Sequence, residues 1–507
     1  MNIFKFLLTF FIITSMALSE ETKVPSPDKK PESPQVFPPP IITSHQIKVP
    51  GNVIKYNAET GYLTLRDEFG KAKGNIFFTS YTKGEVKDIT TRPITFVFNG
   101  GPGSSSVWLH MGCIGPKRVL MNDDGTSKAP PYKYIDNEYS WIDKTDLVFI
   151  DPINTGFSRA VEGEEAKQFL GYSEDIQSVG DFIRLFTSKY DRWGSPKFLA
   201  GESYGTTRSA GLSAYLQDTY NLYINGISLI SSVLNFQTLL FNRGNDLPNV
   251  LFLPSFCATA FFHKKLSTDL QSNFEKTMKE VEEFAINDYA LALLKGDDLQ
   301  KTDKQKIVEI LSKFMGVSKE FISNCNLRPD IFRFTKELMR NDNLTIGRLD
   351  SRITGVDFDN AGENFEFDPS LDATISGPFS ASFNHYIKSE LKYENEIPYL
   401  ILSNRVHPWS YSNVQNQYLN VAETLRTAMA KNSFLKVWVS SGYFDLATPY
   451  FATEYTFSHM GLNPDQKKNV SFTYYKAGHM MYIHKESLLK FKEDADKFYD
   501  NTLKQIN

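Results

Sequence analysis

Ser203, Asp445 and His479 lie far apart in the chain, each beside residues that read as the end of a strand. Ser203 sits in Gly201-Glu202-Ser203-Tyr204-Gly205, after the apolar Phe198-Leu199-Ala200 and before a helical pattern from about Ser209 to Tyr220. A turn this tight requires its glycines, because larger side chains collide with it. It lifts a hydroxyl clear of the sheet and places the unpaired N–H groups of a helix start behind it. Such donors suit a developing oxyanion. A serine hydroxyl is a weak nucleophile until a base takes its proton. His479, in Ala477-Gly478-His479 after the strand-like Asn469–Tyr475, is the natural base. Asp445, just past the strand-like Leu435–Ser441, is placed to fix the imidazole tautomer and stabilise the imidazolium. Plainer readings stand beside these: an ordinary turn at Ser203 and a helix cap at Asp445. His407, His459 and His484 are other late histidines, and Asp465 and Asp494 are weaker acids in a polar turn and a terminal helix.

A second loop carries chemistry. Ile94-Thr95-Phe96-Val97-Phe98 is apolar and β-branched, as a strand inside a sheet is. It runs into Asn99-Gly100-Gly101-Pro102-Gly103, whose glycines let the backbone approach a ligand. The loop lacks the Gly-Lys-Ser/Thr ending of a phosphate loop. Its Gly101 N–H and the Tyr204 N–H, just after the nucleophile, are the two expected oxyanion donors.

The elements that must position these groups follow from pattern. Tyr62–Leu65 and Ile76–Phe78 read as strands, with breaks at Asn57–Gly61 and Asp67–Gly70, an antiparallel start to a sheet. Tyr172–Tyr190 has helical spacing and reads as the crossover before the nucleophile strand. Ile224–Ile230 is the next buried strand. From about Asn245 the texture turns to lysine, glutamate and leucine, with helical stretches at Leu266–Leu294 and Gln305–Phe314. Gln417–Lys431 reads as a helix of the returning core. The expectation is an α/β fold: a mixed, mostly parallel central sheet flanked by helices, with a large, mostly helical cap inserted.

The 507 residues are 41% hydrophobic, enough for a large core. Lysine plus arginine is 55 against 59 acidic residues, a balance that excludes nucleic acid as the main partner. Met1–Ser19 reads as a secretory signal: Lys5, then the apolar Phe6–Leu18, then Ala17-Leu18-Ser19 for cleavage. No stable membrane insertion is expected after cleavage. Residues 20–45 read as a proline-rich linker, 46–245 as the first part of the core, 246–412 as the cap and 413–507 as the second part. Cys113, Cys257 and Cys325 allow one bridge or none, so the fold is not held by disulfides.

Asn99-Gly100-Gly101-Pro102-Gly103-Ser104-Ser105, together with Gly201-Glu202-Ser203-Tyr204-Gly205, resembles the serine carboxypeptidases, the peptidase S10 family of the α/β-hydrolase superfamily. Asp146–Ser158 is similar to the family's next strand and loop. The resemblance implies a serine-type carboxypeptidase acting on peptides with a free C-terminus, without metal or organic cofactor, favoured by acidic pH. It implies that Glu202, hydrogen-bonded to Asn99, receives the substrate's terminal carboxylate, with the Gly100 N–H as a further donor. Two carboxyl groups lie so close only when they share a proton. The chain departs from the family at Thr206-Thr207 and at Met481-Tyr482, where Ala-Gly and Val-Pro are common. Acyltransferases, esterases and a non-catalytic binding relative remain alternatives. Export is compatible with a periplasm, the medium or a vacuole-like compartment, and oligomeric state is open.

Overall fold

Five residues in a row, Ile94–Phe98, four of them apolar, are buried on both sides, which only the middle of a sheet provides. The computed structural model describes residues 39–504. The main sheet is built from β1 (Ile41–Val49), β2 (Asn52–Arg66), β3 (Ala72–Lys83), β4 (Ile94–Phe98) and β5 (Asp146–Ile150). It continues through β6 (Arg159–Ala160), β7 (Lys197–Ser203), β8 (Gly226–Ser232), β9 (Lys436–Gly442) and β10 (Val470–Tyr475). The spatial order is β1-β2-β3-β5-β4-β7-β8-β9-β10, with β6 paired to β3. β1 to β3 join antiparallel, and β3 pairs antiparallel with β5. From β5 onward every neighbouring pair is parallel. Parallel strands need crossovers, and helices on both faces supply them.

Alternate residues of each strand go to opposite faces. Phe96, Phe98 and Leu199 pack with Phe182 and Ile183 of α1 (Tyr172–Lys189), Leu212 of α2 (Tyr204–Tyr220) and Leu425 of α3 (Ala422–Lys431). Val97, Phe198 and Ala200 point the other way, to Trp141, Trp438 and the Phe491 and Tyr499 rings of α4 (Lys485–Leu503). A third cluster joins Phe256, Met278, Leu311 and Phe334 of the inserted stretch to Phe444 and Tyr450, beyond β9. No helix among the described residues is long and apolar enough to cross a membrane.

The expected mixed sheet with flanking helices is present, and its local limits differ in instructive places. Asn57–Gly61, expected as a break, runs inside β2. It is paired on both sides, Asn57 to Ser44 and to Thr82, and two ladders outweigh its turn propensity. The last part of the expected linker, from Ile41, belongs to β1. The signal and residues 20–38 of the linker lie outside the described residues. α2 begins at Tyr204, ahead of the expected Ser209, because the helix starts directly from the turn. Leu266–Leu294 is broken once: Thr268–Gln271 stops before Phe274–Phe284, which runs on through the wider helical turn Ala285–Tyr289 into Ala290–Lys295. Asn273 makes the second start by accepting the Lys276 N–H. Cys113, Cys257 and Cys325 are all free and buried.

Candidate active site

The turn at the end of β7 is strained in the manner its sequence implies. Ser203 has φ 60° and ψ −129°, a region non-glycine residues seldom occupy. A Cβ at Gly201 would stand 2.2 Å from the Gly205 carbonyl, and one at Gly100 would stand 2.4 Å from the Tyr204 nitrogen. The first glycine loop therefore lies directly against the start of α2. Among the described residues, neither the Gly101 nor the Tyr204 amide has a hydrogen-bond partner. Both are free to serve an oxyanion.

Asp445 and His479 meet in the loops after β9 and β10. The imidazole Nδ1 lies 2.7 Å from Asp445 Oδ2. The Thr448 hydroxyl donates to the same oxygen at 2.7 Å. The other oxygen accepts the Ala447 and Thr448 amides at 2.7 and 3.0 Å. Asp445 is fully buried, and His479 and Ser203 line one cleft of about 120 Å³. No hydrogen bond joins the Ser203 hydroxyl to the imidazole among the described residues. Such contacts commonly tighten only when substrate binds. Burial pulls the imidazole down, but the Asp445 charge and hydrogen bond, aided by Glu202, hold its pKa above the ordinary histidine value.

The competing residues are occupied elsewhere. Asp465 pairs with Lys468 in an exposed turn, and Asp494 accepts from Tyr475. His484 Nδ1 is 2.9 Å from the Ser487 hydroxyl at the start of α4. His459 stacks on Tyr455, and His407 is exposed.

Beside Ser203, Asn99 Nδ2 donates to Glu202 Oε1 at 2.9 Å. Asn99 Oδ1 accepts the Leu109 N–H at 3.1 Å, which fixes the amide's orientation. Both side chains are buried and line the same cleft, with Gly100 and Gly101. Burial raises the Glu202 carboxyl to about 7, against the opposing influence of His479 and the donors on its oxygens. Trp108, Leu371, Ile375, Leu402 and Met480 add apolar walls.

Arg208 fastens the two glycine-bearing turns together. Its guanidinium donates to Asp175 Oδ2 of α1 at 2.7 Å and to the Asn99 carbonyl at 2.5 Å. Arg208 and Asp175 are almost wholly buried. Arg208→Met should cost about 3–5 kcal/mol, because it leaves Asp175 buried and unpaired. Denaturant unfolding measures this, and adding Asp175→Asn should restore part of the loss.

Sequence reasoning missed the segment Arg348–Arg352, which ties the cap to the loops carrying Asp445 and His479. The His479 N–H donates to the Leu349 carbonyl at 2.6 Å, and the Leu446 N–H to the Arg348 carbonyl at 3.0 Å. Asp350 Oδ2 accepts the Gly478 N–H at 3.2 Å and pairs with Arg352. A Cβ at Gly478 would be 2.5 Å from the Leu349 carbonyl, so this approach needs the glycine. No motif marks the segment. The small-residue pattern of the His479 loop was its only trace. Thr448 and Tyr482 were also missed as neighbours of the acid groups.

The fold and the serine-bearing turn define the class as an α/β hydrolase. A family model described as serine carboxypeptidase matches residues 50–493, and the chain belongs to that family. It is 34% identical over 170 residues to the pheromone-processing carboxypeptidase KEX1 of Saccharomyces cerevisiae, covering 31% of this chain and 22% of KEX1. It is 31% identical over 161 residues to carboxypeptidase Y of the same yeast, covering 30% of this chain and 25% of that protein. The alignments thus span about a quarter of those relatives' lengths. The crystal structure of a yeast KEX1 form, titled a prohormone-processing carboxypeptidase, has the same fold. Its TM-score is 0.55 at 18% identity, covering 90% of this chain and 93% of that one.

Proposed function

We propose that the protein is an exported serine-type carboxypeptidase that removes C-terminal residues from peptides through an acyl-enzyme. The observation that carries this reading is the meeting of two buried pairs, His479 with Asp445 and Glu202 with Asn99, at one cleft that Ser203 also lines. Export is read from Met1–Ser19, and the division into core, cap and core from the change of texture near Asn245.

In the reaction, His479 takes the Ser203 proton as the hydroxyl oxygen bonds to the scissile carbonyl carbon. The carbonyl oxygen becomes an oxyanion held by the Gly101 and Tyr204 amides. When the tetrahedral species collapses, the carbon–nitrogen bond breaks and His479 returns the proton to the leaving amine. Water, deprotonated by His479, then attacks the ester carbon, and Ser203 leaves with its proton restored. Asp445 keeps the Nδ1 proton facing it throughout. Glu202, carrying a proton, grips the terminal carboxylate of the departing residue with Asn99 and the Gly100 N–H.

The clamp works only while Glu202 is protonated, so binding of a free C-terminus weakens as pH rises through about 7. On the acid side His479 must be neutral. Protonating Glu202 removes one of the charges that hold the imidazolium, so His479 releases its proton more readily when the clamp is ready. Activity on free-carboxylate peptides is therefore favoured by acidic pH.

Glu202→Gln tests this directly. Its amide is a permanent donor, so peptidase activity should lose its decline near neutrality. Hydrolysis of an ester without a free carboxylate should be little changed. Equal losses of both activities would defeat the assignment. The folded-state pKa of Glu202 is raised, so its contribution to stability is complete below the ordinary carboxyl value and fades as pH climbs through about 7. The variant should therefore be more stable than the parent at alkaline pH, by up to about 3 kcal/mol, and no more stable in acid.

A further inference from the structure

Tyr482 lies in the turn Met481–Ile483, three residues beyond His479. Its hydroxyl donates to Glu202 Oε2 at 2.5 Å, while Asn99 holds Oε1. Tyr482, Glu202 and Asn99 are buried, with relative exposures of 1%, 3% and 1%. Both oxygens of the carboxyl thus already have donors before any substrate arrives. A terminal carboxylate can join only if Glu202 brings a proton and one existing donor gives way. The Asn99 amide is fixed by Leu109 and cannot turn over. A phenol can, because its O–H rotates about a single bond and the oxygen also accepts.

The ring itself has no such freedom. A Cβ at Gly112 would stand 2.3 Å from the Tyr482 ring, so that ring rests directly on the Gly112 backbone, with Phe491 on another side. The groups around Glu202 come from four segments. Asn99 follows β4, Cys113 lies in the helical segment His110–Ile114, Asp445 follows β9, and His479 and Tyr482 follow β10. Of these, Tyr482 is the one proton-bearing donor in contact with the carboxyl besides the fixed amide. Burial keeps its hydroxyl protonated throughout the working range.

We propose that Tyr482 is a positioning residue of the carboxylate clamp, and that by holding one oxygen of Glu202 it sets the pH range over which a free C-terminus is gripped. This rests on the role given to Glu202 above. With the hydroxyl in place, the ionised carboxyl is supported and the clamp releases at lower pH. Without it, Glu202 keeps its proton to higher pH and the clamp holds longer.

The test compares the full chain with Tyr482→Phe, which removes one oxygen and keeps the ring packing. kcat/KM is followed from acidic to alkaline pH for a free-carboxylate peptide and for an ester lacking a carboxylate. The alkaline limb for the peptide should move up by about one pH unit, chiefly through KM, while the ester, which needs no clamp, keeps its alkaline plateau and reports the folded enzyme. A peptide limb that does not move overturns the proposal, as does an equal change for both substrates. If the parent shows no alkaline loss specific to the free-carboxylate peptide, the reading of Glu202 itself fails, and this proposal with it.

Discussion

Ser203→Ala should lower kcat on a free-carboxylate peptide by about six orders of magnitude. His479→Ala should do the same, and the double variant should be no worse than either. In the proposed mechanism nucleophile and base act as one unit: without the hydroxyl there is no proton to take, and without the base no attacking oxygen. Among the described residues the Ser203 side chain makes no hydrogen bond, so its loss leaves the fold intact. Thermal melting should be unchanged, and a serine-directed phosphonate should label only the parent. Losses that add across the two sites would show that Ser203 and His479 do not share a reaction coordinate.

Asp445→Asn should cost about 10⁴-fold in kcat with little change in KM. The hydrogen bonds around the carboxyl decide this outcome. Oδ1 accepts two backbone amides, which cannot turn away. An asparagine must therefore put its carbonyl oxygen there and its NH₂ toward His479. That donor faces Nδ1 at the place where Oδ2 stood 2.7 Å away. The imidazole then shifts its proton to Nε2 and cannot act as the proposed base. Thr448 can rotate, since its hydroxyl also lies 3.2 Å from Nδ1, but it cannot supply the missing charge. A drop of less than about tenfold would mean that another carboxylate orients the ring. Asp465 and Asp494, engaged elsewhere, give no support for that.

The three candidate triad positions and the mostly parallel sheet were legible because both depend on local chemistry. A strand ending in a glycine turn has few alternative conformations, and Ser203, Asp445 and His479 each follow one. Asn57–Gly61 was misread because its residues favour turns, and the pull of two neighbouring strands is invisible in a single segment. The break before Phe274 has a local origin, the Asn273 cap, which the leucine and lysine spacing on either side masked. Tyr482 was noticed as a departure from the family pattern, yet nothing in the chain brings residue 482 beside residue 202. Arg348–Arg352 works through backbone carbonyls, which every residue has, so its sequence carried no sign of its place.

That last segment bears on how the enzyme can change its tastes. The roof over the cleft also grips the loops that hold Asp445 and His479, through the carbonyls of Arg348 and Leu349. Exchanging the whole insertion for a relative's would alter the alignment of the reactive groups as well as the walls around the substrate. A chimaera that keeps residues 346–353 of the host and swaps the Pro369–Ile375 stretch, which brings Leu371 and Ile375 to the cleft, should inherit new preferences at near-parental speed. One that replaces the segment as well should start from a misaligned centre, whatever its pocket is shaped to accept.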